Sequence, residues 1–260
     1  MHLYGWQPSP QTIKEEQKFE NFLKSEENRD VIGVSESIID WRSFCSPIEN
    51  QQDIGSCVAN AIVSNLEFLE IKAGYKYVDL SRMFLYYNAR LEDNSTNLDR
   101  GSNISLAFAT LRKHGVCSEA SYPYDPSKVF MRPSWKAYQE AFRHNLTQSY
   151  KIQSTGNNLH YDILTALRSC HPVVFGTELW DEFRNCSGLV SMPDQSKTSI
   201  GRHAMLIVGV NLDKRHYIVR NSWGTNWGDK GYCYFPFEYF DKVDTFEFWT
   251  ATKTQEMILK

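Results

Sequence analysis

The chain has 260 residues, of which 42% are hydrophobic and 14% are aromatic, and its formal net charge is −3 at pH 7. This length can bury a substantial core as one large domain or two small ones. No basic patch suited to nucleic acid is present, and the longest apolar run, residues 204–210, is far too short to span a bilayer. Composition therefore predicts a globular protein that binds neither nucleic acid nor membrane.

The first 37 residues predict an extension ahead of the main domain. Residues 12–15 have the capping-box pattern and Ser9-Pro10 offers an alternative start, so we expect a short amphipathic helix reaching about Lys24. A charged stretch at residues 25–30 then leads into the domain, and no secretory signal is visible. Two interpretations remain open: a tail packed on the body, or a pro-segment remnant or other regulatory arm.

Helical patterns dominate the first half of the domain. Apolar residues recur at helical spacing over residues 57–73, between a candidate N-cap at Ser56 and a stop at Gly74. A second helix is predicted through Arg90, and a third over residues 105–114.

The pattern changes after about residue 145. One further helix is predicted over residues 160–169. The remaining apolar runs predict strands, at residues 172–177, 204–210, 217–221 and 231–235. The chain thus divides into a helical part, about 50–145, and a strand-rich part, about 146–255.

Four residue types needed for thiol catalysis occur in a workable order. Cys57 opens a helix, where unpaired N–H groups and the helix dipole favour a thiolate. His203 follows 146 residues later and could exchange the thiol proton, and Asn221, after 18 more, could hold the imidazole. Gln51 or Gln52 could donate to an oxyanion. These residues predict nucleophilic chemistry at carbonyl carbon, although each could also be an ordinary core or surface residue.

This order resembles the papain-like cysteine proteases over roughly residues 38–235. The most specific block is Asn221-Ser222-Trp223-Gly224, with Trp227-Gly228 and Gly231-Tyr232 after it. The other matching blocks are Asp40-Trp41-Arg42, Gln51, Gly55-Ser56-Cys57, Gly101-Ser102, Tyr122-Pro123-Tyr124 and His203-Ala204.

The resemblance implies an α+β fold of two lobes with the active-site cleft between them, and a catalytic domain over residues 38–260. It implies a cysteine peptidase that forms a thioester on Cys57, with His203 as acid and base, Asn221 as the orienting group and Gln51, by its spacing, as the oxyanion donor. Substrate-binding residues follow by position: Gly101, Ser102, Asn103, Ile104, Ala204 and Trp223.

The resemblance further implies a polypeptide substrate, possible inhibition by a pro-segment or protein inhibitor, and neither cofactor nor metal. The 37-residue extension is too short for a complete inhibitory pro-segment of this family. Two alternatives stay open: a related hydrolase or acyltransferase acting on a non-peptide or ubiquitin-like substrate, and an inactive binding scaffold. Because the four catalytic residue types are all present, an enzyme is favoured over a scaffold.

Several positions depart from the family pattern. Ile54 and Asp99 stand where a disulfide next to the nucleophile is usual, so we expect folding in a reducing compartment, either the cytosol or a host cell entered after export. Val58 replaces an aromatic residue, and Ser102 replaces a glycine and could narrow a subsite. Arg202 places a positive charge beside His203.

Overall fold

The structure, a computed structural model, describes residues 4–8, 17–24, 36–243 and 245–254. Its helices are α1 (Phe19–Lys24), α2 (Cys57–Lys72), α3 (Arg82–Glu92), α4 (Ile104–His114), α5 (Trp135–Ala141), α6 (Asn157–Arg168) and α7 (Phe237–Lys242). Its strands are β1 (Ile38–Asp40), β2 (Leu146–Ile152), β3 (Val173–Leu179), β4 (Gly201–Asn211), β5 (His216–Arg220), β6 (Tyr232–Pro236) and β7 (Thr245–Thr254).

The strands form one antiparallel sheet in the order β2-β7-β3-β4-β5-β6, with β1 pairing to β4. Side chains alternate across the two faces of this sheet. In β4, Ala204, Leu206 and Val208 face a core shared with α2, α3 and α4. Met205 and Ile207 face a second core, which includes residues of α6 and α7. The sheet therefore divides two apolar cores, and the helical core is built mainly from the first half of the chain.

The predicted helices and strands in the main domain are present, with ends shifted by a few residues. Strands β2 and β7 were not predicted, yet they pair with each other along one side of the sheet. The helix predicted in the extension is described only from residue 17 onward, where α1 packs Phe22 against Tyr150. Its predicted capping box at residues 12–15 lies outside the described residues.

The predicted N-cap of α2, Ser56, does not cap the helix. Ser56 precedes α2, but its side chain makes no capping hydrogen bond to the helix backbone. Its Oγ instead lies 2.6 Å from the Tyr124 hydroxyl and accepts from Asn60 Nδ2. The first-turn N–H groups of α2 are thus not capped by Ser56, and Cys57 lies among them.

Among the described residues, none of the helices combines the length and apolar character needed to cross a bilayer.

A buried carboxyl joins α2 to the segment before α3. Glu67 is 2% exposed and its Oε1 accepts from the backbone N–H of Leu80 at 2.9 Å. Burial raises the pKa of Glu67 to about 7, opposed by the Ser46 hydroxyl, the Leu80 N–H and the Arg220 charge. The neutral carboxyl is therefore the form that the fold favours.

We predict that Glu67→Gln flattens the pH dependence of stability. Because the folded pKa lies above the ordinary 4.5, the contribution of Glu67 is fully present below pH 4.5 and is lost as pH rises through about 7. At about 1.4 kcal/mol per pKa unit, the loss is at most about 3–4 kcal/mol. Urea unfolding at pH 5 and pH 8 measures it, with exposed Glu238→Gln as the control. Equal pH slopes for the wild type and Glu67→Gln would contradict the assignment.

Candidate active site

Cys57 lies where the amino end of α2 meets strand β4. It is the first residue of α2 and is fully buried. The backbone N–H of Ala204, directly after His203 in β4, lies close enough to the sulfur to lower the thiol pKa, as do those of Val58 and Cys57 itself. The packing of α2 on β4 therefore brings the cysteine beside the histidine.

His203 and Asn221 form a short buried hydrogen bond. Nε2 of His203 lies 2.7 Å from Oδ1 of Asn221, and His203 has no exposed surface. The same Oδ1 accepts from the backbone N–H of Ser222 at 2.8 Å, which fixes the orientation of the amide. An oxygen accepts only, so Nε2 carries the proton. Proton exchange with Cys57 would therefore go through Nδ1.

Aromatic rings cover this hydrogen bond. The ring of Trp223 lies 4.9 Å from that of His203, centroid to centroid, with 37° between their planes. Phe183 and Trp227 pack against Trp223 at 5.3 and 5.2 Å. A hydrogen bond shielded from water is electrostatically stronger than an exposed one. Trp223 thus protects the orientation of the imidazole.

Gln51 is buried beside the Asn221 loop, whereas Gln52 is exposed. The side-chain oxygen Oε1 of Gln51 accepts from Ser222 Oγ at 2.7 Å, and Nε2 donates to the Ile54 backbone carbonyl at 3.0 Å. These contacts fix the side-chain amide between the loop before α2 and the loop after β5. Of the two glutamines, Gln51 is therefore the one with a buried side chain at this position.

Asp99 occupies the position of the expected disulfide partner and makes a different link. Its Oδ1 accepts from the backbone N–H of Gly55 at 2.9 Å and from the Tyr86 hydroxyl at 2.5 Å. Gly55 is thereby held two residues ahead of Cys57 without a covalent bond. All six cysteines, each of them within the described residues, are free thiols.

The predicted substrate wall has mixed roles. Asn103 is a helix cap, because its Oδ1 accepts from the N–H of Leu106 at the start of α4. Ile104 and Ala204 lie together in the helical core. Gly101 and Ser102 line the cleft, where the backbone of Ser102 forms hydrogen bonds to another segment of the chain.

That segment is residues 4–8, here called the N-terminal arm. Ser102 N donates to Gly5 O at 2.8 Å and Gln7 N donates to Ser102 O at 2.9 Å, which makes a parallel β-bridge at Trp6. Trp6 N also donates to Arg202 O at 3.3 Å. The approach is close, since a Cβ on Gly5 would lie 2.0 Å from the Gly55 oxygen. The arm is thus bound in the cleft as an extended peptide.

The side chains of the arm pack on the candidate catalytic groups. Tyr4 packs edge-on against His203 and Trp223, with ring centroids 6.2 and 6.0 Å away. Trp6 is 1% exposed and joins the helical core. These residues were not predicted to lie at the site, and the local signal for them is an aromatic pair, Tyr4 and Trp6, around a glycine.

Burial also affects the ionisation of the Cys57 thiol. It raises the pKa of Cys57 to about 11, although the N–H groups of Ala204 and Gly5, among others, act to lower it. The reactive thiolate expected from the sequence is therefore not the favoured form while the arm is docked. The Gly5 contact is an N–H, so the arm presents a donor to the sulfur and not a carbonyl carbon.

Two further points concern the charge beside His203 and the possibility of a metal site. Arg202 Nε lies 3.5 Å from Glu178 Oε1 on the neighbouring strand, so its charge beside His203 is partly balanced. Within the described part of the chain, no cluster of three histidine, cysteine or acidic side chains could hold a metal ion.

Comparisons with known proteins agree with this geometry. The model of the papain family of cysteine proteases matches residues 35–241. An uncharacterized peptidase C1-like protein of Acanthamoeba polyphaga mimivirus is 36% identical over 81% of this chain and 71% of its own. Cathepsin K of Gallus gallus is 29% identical over 75% of this chain and 57% of its own. Peptidase 1 of Psoroptes ovis is 29% identical, and the match spans 59% of its length.

Solved structures show the same fold. Xylellain, a cysteine protease from Xylella fastidiosa, superposes with a TM-score of 0.81 at 27% identity, and the match covers 96% of each chain. Digestive procathepsin L 3 of Tenebrio molitor superposes with a TM-score of 0.66 at 21% identity, covering 90% of this chain and 79% of its own, a likeness of fold alone. The predicted α+β papain-like architecture is confirmed. The chain belongs to the papain family of cysteine proteases and is a cysteine peptidase.

Proposed function

We propose that the chain hydrolyses peptide bonds at Cys57, with His203, Asn221 and Gln51 in the catalytic roles that their order suggested. The observation that carries the proposal is the buried 2.7 Å contact between His203 Nε2 and Asn221 Oδ1, beside the helix end that bears the thiol. It fixes one tautomer and leaves Nδ1 as the nitrogen that acts on Cys57.

The reaction proceeds by acylation and hydrolysis. Nδ1 of His203 takes the thiol proton, and the sulfur attacks the substrate carbonyl carbon. The N–H of Cys57 and Nε2 of Gln51 donate to the resulting oxyanion. Collapse breaks the C–N bond, the amine leaves with the proton from His203, and a water molecule activated by the same ring cleaves the thioester. Asn221 holds the ring throughout, and Trp223 excludes water from their hydrogen bond.

The N-terminal arm supports a polypeptide substrate. Ser102 uses both its N–H and its C=O to hold an extended backbone, which is the way in which a peptide is recognised by strand addition. A small non-peptide substrate would not need this edge. An inactive scaffold is disfavoured, because the four catalytic residue types are all present and the Cys57 sulfur lies against the N–H of Ala204, which directly follows His203.

The arm also supports autoinhibition within the chain. It packs Tyr4 on His203 and buries Trp6, and its Gly5 backbone contacts the Cys57 thiol, whose burial raises the thiol pKa. Of the two interpretations of the extension, a regulatory arm is therefore favoured for residues 4–8. A second described piece, residues 17–24, packs on β2, where Lys151 N donates to Gln17 O at 2.9 Å.

We expect His203→Ala to lower kcat by roughly 10²–10⁴-fold or more, because the ring moves every proton in the cycle. Asn221→Ala should keep measurable turnover, since the amide only positions the ring. Cleavage rates on a peptide library test both variants. The matched control is His216→Ala, because His216 lies at the end of β5 away from Asn221. Near-wild-type turnover by His203→Ala would contradict the mechanism.

We expect Gln51→Ala to lower kcat by roughly 10²–10³-fold with little change in KM, as for other oxyanion donors. Exposed Gln52→Ala is the matched control and should have little effect. Steady-state kinetics separates the two constants, and circular dichroism checks the fold. A larger effect at Gln52 would show that the register is wrong by one residue.

We expect Trp6→Ala to activate the intact chain at least tenfold. Truncating a buried tryptophan costs about 3–5 kcal/mol, and here this cost weakens the binding of the arm to the site. Trp135→Ala is the matched control, because Trp135 is 76% exposed on α5. The readout is the initial rate at saturating and limiting peptide concentrations. Equal rates for the wild type and Trp6→Ala would refute inhibition by the arm.

A further inference from the structure

A small cavity lies between α2, strand β4 and the end of β5. The residues that line it include Asn60 and Ser64 of α2, Arg220 of β5, and Asn221 directly after that strand. About 10 Å³ of it is open to the centre of a water molecule, which is close to the least that one buried water requires. The cavity therefore has room for a single water beside the asparagine that orients His203.

Asn60 has a buried side chain with one acceptor that the protein does not use. The residue is 1% exposed, and its Nδ2 donates to the backbone carbonyl and to Oγ of Ser56, both at 3.0 Å. Because a carbonyl only accepts, this contact fixes which end of the amide is the nitrogen. The other end, Oδ1, is buried and has no hydrogen-bond partner within the described part of the chain. Asn60 thus supplies an acceptor to the cavity that it lines.

Asn221 supplies the complementary donor. It is 3% exposed, and its Oδ1 is already engaged by His203 Nε2 at 2.7 Å and by the Ser222 N–H at 2.8 Å. Its Nδ2 is buried and, among the residues that the structure describes, has no acceptor. A buried donor without an acceptor is costly. The cavity therefore has a donor on one wall and an acceptor on another.

We propose that one water molecule in this cavity accepts from Asn221 Nδ2 and donates to Asn60 Oδ1, which makes Asn60 a positioning residue for the catalytic asparagine. The inference rests on the roles proposed above for His203 and Asn221. Water is both a donor and an acceptor, so one molecule satisfies both amides. Ser64 and Arg220 line the same space, and a buried water usually makes about three hydrogen bonds in all.

The water bridge acts on the tautomer of His203. If the Asn221 amide turned over, Nδ2 would face the N–H of Ser222, donor against donor, and would replace the acceptor at His203 Nε2. The ring would then carry its proton on Nδ1, the nitrogen that must take the proton of Cys57. A water that accepts from Nδ2 opposes this rotation, because the rotation also breaks the bridge.

Asn60→Leu tests the bridge by replacing the acceptor with a hydrocarbon of similar size. We expect kcat to fall roughly tenfold to 100-fold with little change in KM, the usual effect of one unsatisfied buried donor. Asn60→Ser should restore most of the activity, because its hydroxyl donates to the Ser56 carbonyl one turn earlier and its oxygen accepts from water. The matched control is Asn88→Leu on α3, which should leave kcat unchanged. Asn88 is also fully buried and donates to the Phe84 carbonyl at 2.8 Å, but it does not line the cavity.

Two further readouts do not depend on turnover. A crystal structure of the wild type should show one water within about 3.5 Å of both amide atoms, and that water should be missing from Asn60→Leu. NMR of the labelled ring nitrogens of His203 in the intact chain should place the proton on Nε2 in the wild type, with a larger share on Nδ1 in Asn60→Leu.

The outcomes separate this inference from the proposed function. A dry cavity in the wild type would overturn the inference alone. So would wild-type kcat and an unchanged His203 tautomer in Asn60→Leu, with cleavage still dependent on Cys57. No cleavage of any peptide by the wild type would instead contradict the proposed function.

Discussion

The packing of the amino end of α2 against strand β4 is the constraint on which the rest of the site depends. It sets Cys57 beside Ala204 and His203, although they are far apart in sequence. Strand β5 then carries Asn221 to the other edge of the imidazole, because it pairs antiparallel with β4. The loops before α2 and after β5 are joined by Gln51 and Ser222. Each proposed catalytic group thus lies on a helix or strand or in a short loop directly next to one.

The same cleft binds a segment of its own chain. Residues 4–8 bind at Ser102, the edge proposed to hold substrate, and the Gly5 group that contacts the sulfur is an N–H donor. Exclusion of water from this region has opposite effects on the two candidate catalytic side chains. It strengthens the His203–Asn221 hydrogen bond, and it raises the pKa of Cys57 to about 11. We expect departure of the arm to give solvent access to Cys57, while Trp223 still covers the histidine contact.

Sequence reasoning predicted the features that depend on local chemistry. The helix over residues 57–73, the strand carrying His203 and the order of the four catalytic residue types all follow from spacing and composition. The choice of Gln51 over Gln52 rested on family spacing, and burial supports it. Strands β2 and β7 were missed because their identity depends on pairing with each other across the sheet, and β2 contains several polar residues.

Long-range contacts account for the remaining differences. Ser56 is a good capping residue in isolation, but Tyr124 and Asn60 engage its hydroxyl. From the sequence, Asp99 indicated only that a disulfide was missing. In the structure its carboxylate accepts a hydrogen bond from Gly55. Trp6 and Glu247 lie 241 residues apart, and nothing local to either indicates that they meet. Their contact was therefore visible only in three dimensions.

The central claim is that the N-terminal arm closes an otherwise complete catalytic site. The most direct test is the pH dependence of Cys57 alkylation by iodoacetamide, followed on the Cys57 peptide by mass spectrometry. In the intact chain the rate should rise only as pH approaches about 11. In Trp6→Ala the inflection should fall below the ordinary cysteine value of about 8.5, toward that of other thiols at helix ends beside histidine. The same low inflection in both proteins would contradict the account.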